Sequence, residues 1–423
     1  MSSTENMRSD ENTCFSDGEI EIPAVAALPK YRAHIFDRLL GALAYGRLRV
    51  VLPSGESFTR SGPAEGPDAT IVLRNWRAVR RIVTGGDIGF AEGFIEGDWT
   101  SPDRVALIQL LARNVEQLTA AYRGSLFIRG FSRLRHWLNS NSKRGSRKNI
   151  EAHYDLGNDF YKLWLDPSML YSSAIFTEGA ATLEAAQTEK MRRIESLLEL
   201  EGGERVLEIG FGWGALAAHL AGRAKAEVTG ITLSPSQLAF AREVVAGQGL
   251  SDRVELRLQD YRDVKQTFDR VVSIEMFEAV GEDYWPSYFS TVANALKRGG
   301  RAVLQVISIA EDRYENYKRD TDFIQAHIFP GGFLPSKTAF AAAAEMAGLQ
   351  VVSSEFFGLS YAETLAEWRR RFNQNWTKIA ALGFEERFKR LWNYYLEYCE
   401  AGFREGAIDV GLYTLAPREA AAP

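Results

Sequence analysis

The sequence predicts an α/β protein: a seven-stranded Rossmann-like domain preceded by a smaller α+β N-terminal domain. Three observations carry that expectation. From Glu151 onward, short aliphatic runs alternate with helical apolar spacing, the pattern of a mostly parallel sheet flanked by helices. The first of those runs passes from Arg205 through Glu208 straight into Gly210, Phe211, Gly212, Trp213 and Gly214, which reads as strand, tight loop and then an Ala-rich helix. Before Glu151 the pattern changes to a few alternating strands and amphipathic helices.

The bulk properties bound the rest. At 423 residues the chain holds two or three domains of roughly 100 to 200 residues each. With 46% apolar and 25% charged residues it can bury a sizeable core, and a net charge of -5 selects no partner by itself. Cys14 and Cys399 do not make a disulfide framework, and five scattered histidines show no metal-ligand spacing, so no metal is expected. The start of the chain is acidic and polar rather than basic and apolar, and no run approaches the roughly 18 apolar residues of a membrane span. A cytoplasmic protein is expected.

In chain order, residues 1–25 read as a disordered leader and 26–139 as the N-terminal domain. That domain opens with a helical pattern (Ile35, Leu39, Leu40, Leu43), followed by strands around Leu48 to Leu52 and Thr70 to Leu73. Ser101, Pro102 and Asp103 start a helix whose stripe of Val105, Ile108, Leu111, Val115 and Leu118 reads as core-facing. Between Gln117 and Ile150 there is no acidic residue, while Arg123, Arg129, Arg133, Arg135, Lys143, Arg144, Arg147 and Lys148 interleave with apolar side chains. Such a segment suits an anionic lipid surface; nucleic acid is disfavoured because no binding motif accompanies the charge. The other reading is a solvated basic linker, with 140–150 as its clearest part. The catalytic domain spans 151–418, with strands at Val206 to Gly210, Val228 to Leu233, Val254 to Leu258, Arg270 to Ile274, Ala302 to Ile309, Gln350 to Phe356 and Ile408 to Leu415. Helices fall at Pro235 to Ala246, Tyr284 to Lys297 and Lys337 to Ala347, and a helical insertion runs from Tyr361 to Arg404.

In an open α/β sheet, ligands sit beyond the carboxyl ends of the strands. The spacing after the first strand is G-x-G-x-G, which fits neither a dinucleotide fold nor a P-loop. It matches the acidic-G-x-G-x-G loop of S-adenosylmethionine-dependent methyltransferases, with Glu208, Gly210, Gly212 and Gly214. The second strand ends without an acid, leaving Thr232, Leu233 and Gln237 as polar and backbone contacts and Ser234 as a helix cap or ligand contact. After the third strand, Asp260 and Tyr261 suit adenine recognition, although Asp260 equally suits a turn cap. After the fourth come Glu275 and Glu278. Position makes Glu278 the sharper candidate, and Glu275 reads as a solvated or salt-bridged neighbour.

These residues resemble the cyclopropane-fatty-acyl-phospholipid synthases and their relatives, the mycolic acid cyclopropane synthases and methyltransferases. The matching segments are HYDLGNDFYKLWLDPSMLYSSAIF from His153, LEIGFGWG from Leu207, VTGITLSPSQ from Val228, SIEMFEAVGEDYW from Ser273, IFPGGFLPS from Ile328 and YYLEYCEAGFREGAIDV from Tyr394. Gly86 to Gly89 and Glu96 to Trp99 resemble the family's N-terminal domain, which is implicated in lipid contact. The resemblance implies methyl transfer from S-adenosylmethionine to a cis double bond of an unsaturated phospholipid acyl chain. Ring closure then requires proton loss, for which the family uses a bound bicarbonate.

Carried over, the resemblance makes Tyr171 and Ser172 donor contacts along with Gly210, Gly212, Thr232 and Gln237. It makes Glu278, Ile307 and Tyr361 part of the bicarbonate pocket. Ser173 stands where the family has Cys, Gln305 where it has His, and Ala279 where a second His is common. Gln305 cannot titrate, so a methyl-branched or methyl-alkene product stands as the alternative to cyclopropane. A donor-binding protein without catalysis is a further alternative. Cys399 aligns with a cysteine proposed as active in the family, but direct transfer needs no covalent intermediate, and its setting reads first as core. Phe329, Phe333, Tyr361, Trp368 and Trp376 are candidate rings facing a cation, with about half expected to be ordinary packing. The expected partners are a phospholipid bilayer surface at the inner membrane face and a second copy of the chain.

Overall fold

The computed structural model describes residues 41–122 and 156–418. The expected leader, the basic stretch from Arg123 onward and the linker at 140–150 lie outside the described residues. Of the opening helical pattern only Leu43 is described, and it is buried.

The N-terminal region forms a four-stranded sheet from β1 (Tyr45–Val51), β2 (Ser57–Ser61), β3 (Ala64–Leu73) and β4 (Trp99–Thr100), in the order β2-β1-β3-β4. The turn at Pro53, Ser54 and Gly55 closes an antiparallel β1/β2 hairpin. β2 and the first half of β3 escape the sequence reading because their alternation is broken by polar residues and Gly66. The helix Arg77–Ile95 escapes it too. Gly85 and Gly86 interrupt its pattern, and Gly86 sits at φ 57, a kink inside the helix.

The stripe expected on one helix is split. Arg104–Arg113 and Val115–Tyr122 are two helices separated at Asn114, and Val115 is exposed. The buried Asn114 accepts from the amides of Ala44 and Tyr45 and donates to the carbonyl of Tyr45, tying the break to the start of β1. The core face of the first helix is instead Leu107, Ile108 and Leu110. It starts two residues later than Pro102, the expected first helical position: Asp103, expected in the first turn, is instead the N-cap and accepts from the amide of Ala106.

The second sheet contains β5 (Arg205–Ile209), β6 (Glu227–Thr232), β7 (Val254–Leu258), β8 (Phe268–Ile274), β9 (Leu296–Ile309), β10 (Leu349–Phe356) and β11 (Ile408–Pro417). Their order is β10-β11-β9-β8-β5-β6-β7, with β11 antiparallel to both neighbours and the rest parallel. All seven expected strands are present, most with ends shifted by one or two residues. The largest shift is in β9, which begins at Leu296 because that residue is already extended and pairs with Phe268. Strand order reverses between β5 and β8, so the glycine loop and the segment from Glu275 to Gly281 leave the sheet side by side. The expected insertion after Tyr361 is three helices, Gly358–Gln374, Trp376–Ala381 and Glu386–Arg404.

The last of these helices joins the two sheets. The Glu397 carboxylate, 1% exposed, accepts from Arg104 Nε at 2.7 Å and Nη2 at 2.8 Å, and Arg369 shares it. Glu405 takes Arg113 in the same way, and the Phe94 and Tyr394 rings meet at 5.9 Å. A buried bidentate pair of this kind resists loss of one partner, which leaves the other charge stranded. Glu397→Ala is therefore expected to destabilise the protein by roughly 3 kcal/mol, read as a lowered unfolding midpoint in urea. A change below about 1 kcal/mol would mean that the pair does not hold the two regions together.

Candidate functional site

Beyond the carboxyl ends of β5, β6, β8 and β9 lies a cavity of about 450 Å³. Its first wall is the glycine loop. Gly210 has φ 84, and a Cβ there would press on Met276 Cγ at 3.0 Å, so only glycine lets the loop approach the β8 segment. Gly214 has φ 90 and does not line the cavity; a Cβ there would strike Ala241 Cβ at 2.8 Å. Its role is packing of two helices rather than ligand contact. Glu208, Gly210, Gly212, Thr232, Leu233, Gln237 and Tyr261 all line the cavity. Ser234 caps the helix Pro235–Gly247. Asp260 points away: its carboxylate accepts from the Arg262 amide and guanidinium, the turn-cap alternative, and Gln259 and Arg262 take its place on the wall.

The second wall carries charge. Glu208 is buried, and its Oε2 has no hydrogen-bond partner; burial pushes its carboxyl up to about 8. Glu278 Oε1 accepts from the Ile307 amide at 2.5 Å, and its Oε2 has no partner. Burial, and then the negative charge of Glu275, push Glu278 up to about 8.

Glu275 departs from the sequence reading. It is neither solvated nor in a surface salt bridge but lies in the cavity wall. Its Oε1 accepts from the Ser173 amide at 2.9 Å and from Gln305 Nε2 at 2.7 Å. Tyr361 OH donates to its Oε2 at 2.6 Å. The residue has φ 48, a left-handed backbone costing about 1–2 kcal/mol for a side chain with a Cβ. Such strain persists where the surroundings impose it, and it clusters at functional sites. Burial raises the proton affinity of Glu275, and Tyr361, Ser173, Lys190 and Gln305 oppose the rise. Of the two neighbouring carboxyls, Glu275 is the one supplied with donors for its charge, while Glu278 holds its proton more readily. Environments that separate two carboxyls in this way assign them different work.

Lys190 belongs to no motif that the sequence displays. It lies in the helix Leu183–Leu198, fully buried, and its Nζ donates to Ser172 Oγ at 2.6 Å. Burial pulls its ammonium down to about 8, against the attraction of Glu275 and Asp166. Ser172 lines the cavity with Tyr171, whose OH is 3.0 Å from that of Tyr395.

The third wall is apolar and aromatic. Phe329, Phe333 and Tyr361 line the cavity as expected, whereas Trp368 is core and Trp376 packs on Phe372 outside it. Tyr395, Cys399 and Phe403, four residues apart on the helix Glu386–Arg404, add a stripe that helical spacing makes visible in the sequence. Tyr361 stacks on Phe403 at 4.6 Å. Burial drives the Cys399 thiol far above its usual range, which disfavours the thiolate that a nucleophile would need. Ile108 and Ala112 of the N-terminal region also line the cavity, and Arg313 donates to the Ala112 carbonyl. Among the described residues there is no cluster with metal-ligand arrangement and no helix long and apolar enough to cross a membrane.

Three buried carboxyls, one lysine and several aromatic side chains lining one cavity suit a cationic ligand or intermediate. The comparisons agree. The family model for mycolic acid cyclopropane synthetase matches residues 141–412. The chain belongs to that family. It is 38% identical over 419 residues to tuberculostearic acid methyltransferase UfaA1 of Mycobacterium tuberculosis, covering 93% of this chain and 94% of the relative. It is 36% identical over 368 residues to the cyclopropane-fatty-acyl-phospholipid synthase of Escherichia coli, covering 85% and 89%. The crystal structure of mycolic acid cyclopropane synthase CmaA1 complexed with SAH and CTAB superposes with a TM-score of 0.60 at 32% identity, over 64% of this chain and 97% of that one. This family member is an S-adenosylmethionine-dependent methyltransferase of the cyclopropane-fatty-acyl-phospholipid synthase type, on a Rossmann-like fold.

The raised carboxyls have a consequence for stability. Glu208 and Glu278 keep their protons in the folded enzyme up to about pH 8 but lose them near pH 4.5 when unfolded. Across that window the unfolded chain binds fewer protons, so stability contributed by these groups falls as pH rises. The ligand-free enzyme should melt at a lower temperature near pH 8 than near pH 5, and Glu278→Gln should flatten the slope. An unchanged slope in the variant would contradict the raised carboxyl.

Proposed function

We propose that the enzyme transfers a methyl group from S-adenosylmethionine to the cis double bond of an unsaturated acyl chain carried by a membrane phospholipid. It would work as a peripheral enzyme at the inner face of the membrane, and the leading product is a cyclopropane chain. The donor supplies an electrophilic methyl on a sulfonium. The observation that carries the reading is the pairing of apolar and aromatic lining with three buried carboxyls in a single cavity. An alkene is a weak nucleophile, so the residues must hold it in line and exclude water rather than activate it.

The glycine loop, Glu208, Tyr171 and Ser172 form the donor side, and the orphaned Glu208 Oε2 suits a cationic or hydroxyl group there. When the π pair bonds to the methyl, the electron pair of the carbon–sulfur bond returns to sulfur and the second alkene carbon becomes a cation. The Tyr361 and Phe403 faces lie on the same wall, each ring worth roughly 0.5–2 kcal/mol toward a desolvated cation. Loss of a proton from the new methyl closes the ring.

A methylene-bearing chain is the second reading. It needs a hydride shift before proton loss and no further reactant. Two observations favour keeping it: Gln305 stands where the family resemblance has an imidazole, and the relative covering 93% of the chain is named a tuberculostearic acid methyltransferase.

Purified enzyme incubated with vesicles of unsaturated phosphatidylglycerol and methyl-labelled donor should yield fatty esters heavier by one CH2. Hydrogenation then separates ring from methylene, and the absence of label in lipid would sink both readings. Glu278→Gln should lower turnover by about 10²-fold or more while donor affinity, measured by calorimetry, stays near that of the wild type. Loss of affinity alone would show that Glu278 serves binding instead.

A further inference from the structure

The family resemblance assigns a bicarbonate ion to the Ser173 amide, the Gln305 side chain, the Ile307 amide and Tyr361, beside Glu278. In this chain those donors are already engaged. Three of them converge on Glu275, and the Ile307 amide serves Glu278. Ser173 and Gln305 do not line the cavity at all, whereas Glu275 does, so its carboxylate stands between them and any ligand. The Ser173 amide, the Ile307 amide and the Tyr361 hydroxyl each have one N–H or O–H and it is taken, Gln305 does not line the cavity, and a further anion would face two buried carboxyls. Bicarbonate does not fit here.

The placement of Glu275 is built rather than incidental. Its φ of 48 turns the chain after β8, and its amide donates to the Gln305 carbonyl at 2.9 Å, extending the β8/β9 pairing by one step. From that backbone the side chain reaches donors contributed by the Ser173 loop, β9 and the helix Gly358–Gln374. Its two oxygens are unequal. Oε1 receives two hydrogen bonds and Oε2 one, from Tyr361, so Oε2 keeps the freer lone pair.

We infer that Glu275 is the enzyme's own base, occupying the place of an exogenous bicarbonate and removing the proton that ends the reaction. A C–H bond of the transferred methyl breaks. Its electron pair forms the new carbon–carbon bond, which is the ring bond of a cyclopropane or the second bond of a methylene, and the proton goes to Glu275 Oε2. Tyr361, Gln305 and Ser173 act on Glu275 as positioning groups. This assignment rests on the proposed alkene methylation, and it makes the chain independent of dissolved carbonate.

The test uses the full chain with S-adenosylmethionine and unsaturated phosphatidylglycerol vesicles, in carbon dioxide-free buffer and with added bicarbonate. Wild-type turnover should be the same in both. Glu275→Gln should lose about 10²-fold or more in either buffer. Glu275→Gly, which suits the left-handed backbone, should be equally slow alone and partly rescued by bicarbonate or formate. Binding of 13C-labelled bicarbonate, followed by NMR, should be seen with Glu275→Gly and not with the wild type. Dependence of wild-type turnover on bicarbonate, binding of the labelled anion to wild type, or full turnover by Glu275→Gln would each overturn the inference. The wild-type measurements decide the matter even if a variant fails to fold. If wild type binds donor but methylates no lipid, the substrate reading fails, and the anion-binding experiment still decides what occupies the pocket.

Discussion

A buried carboxylate has to be held by donors or give up its charge, and that constraint organises the whole active cavity. Three carboxyls reach its wall. Glu275 is met by an amide, a side-chain amide and a phenol, Glu278 by one amide, and one oxygen of Glu208 by nothing in the chain. The gradation is chemical information. A carboxylate with three donors and a nearby lysine is equipped to be charged, while one with a single donor next to another anion favours its proton. Supplying the donors for Glu275 draws in elements far apart in the chain, with Ser173 102 residues away and Tyr361 86 residues away. The strained backbone at Glu275 is what those contacts hold in place.

The same low-dielectric setting that makes the carboxyls costly makes them effective. Phe329, Phe333, Tyr361, Tyr395 and Phe403 give the cavity apolar, aromatic lining, in which a positive charge interacts with acids and ring faces more strongly than in water. The N-terminal region contributes to the cavity lining through one helix. Ile108 and Ala112 line the cavity, and the buried Glu397 pair fixes their helix against the helix that carries Tyr395, Cys399 and Phe403. Arg313, which also lines the cavity, donates to the Ala112 carbonyl. Domain docking therefore shapes the cavity as well as the fold.

Several expectations changed meaning once the chain was folded. Gly214 belongs to the glycine motif by spacing, yet its missing Cβ makes room for Ala241 and not for a ligand. Asp260 is spent on Arg262, and Trp368 and Trp376 serve packing. Cys399 does line the cavity, but burial disfavours its thiolate. In each case the residue type suits two roles, and the neighbour that chooses between them comes from another element.

The sequence by itself determined the α/β class, all seven strands of the large sheet and the loops that would carry the site. These are local consequences of side-chain period and glycine spacing, which no tertiary contact had to supply. It also pointed to the donor, through an acidic residue and three glycines after the first strand. What only the tertiary structure decided is the surroundings of two carboxyls three residues apart. In the sequence, position and family resemblance single out Glu278 and leave Glu275 as a bystander. They differ because a left-handed turn after β8 aims one of them at Ser173, Gln305 and Tyr361, and hydrogen bonds across that distance exist only in the folded chain.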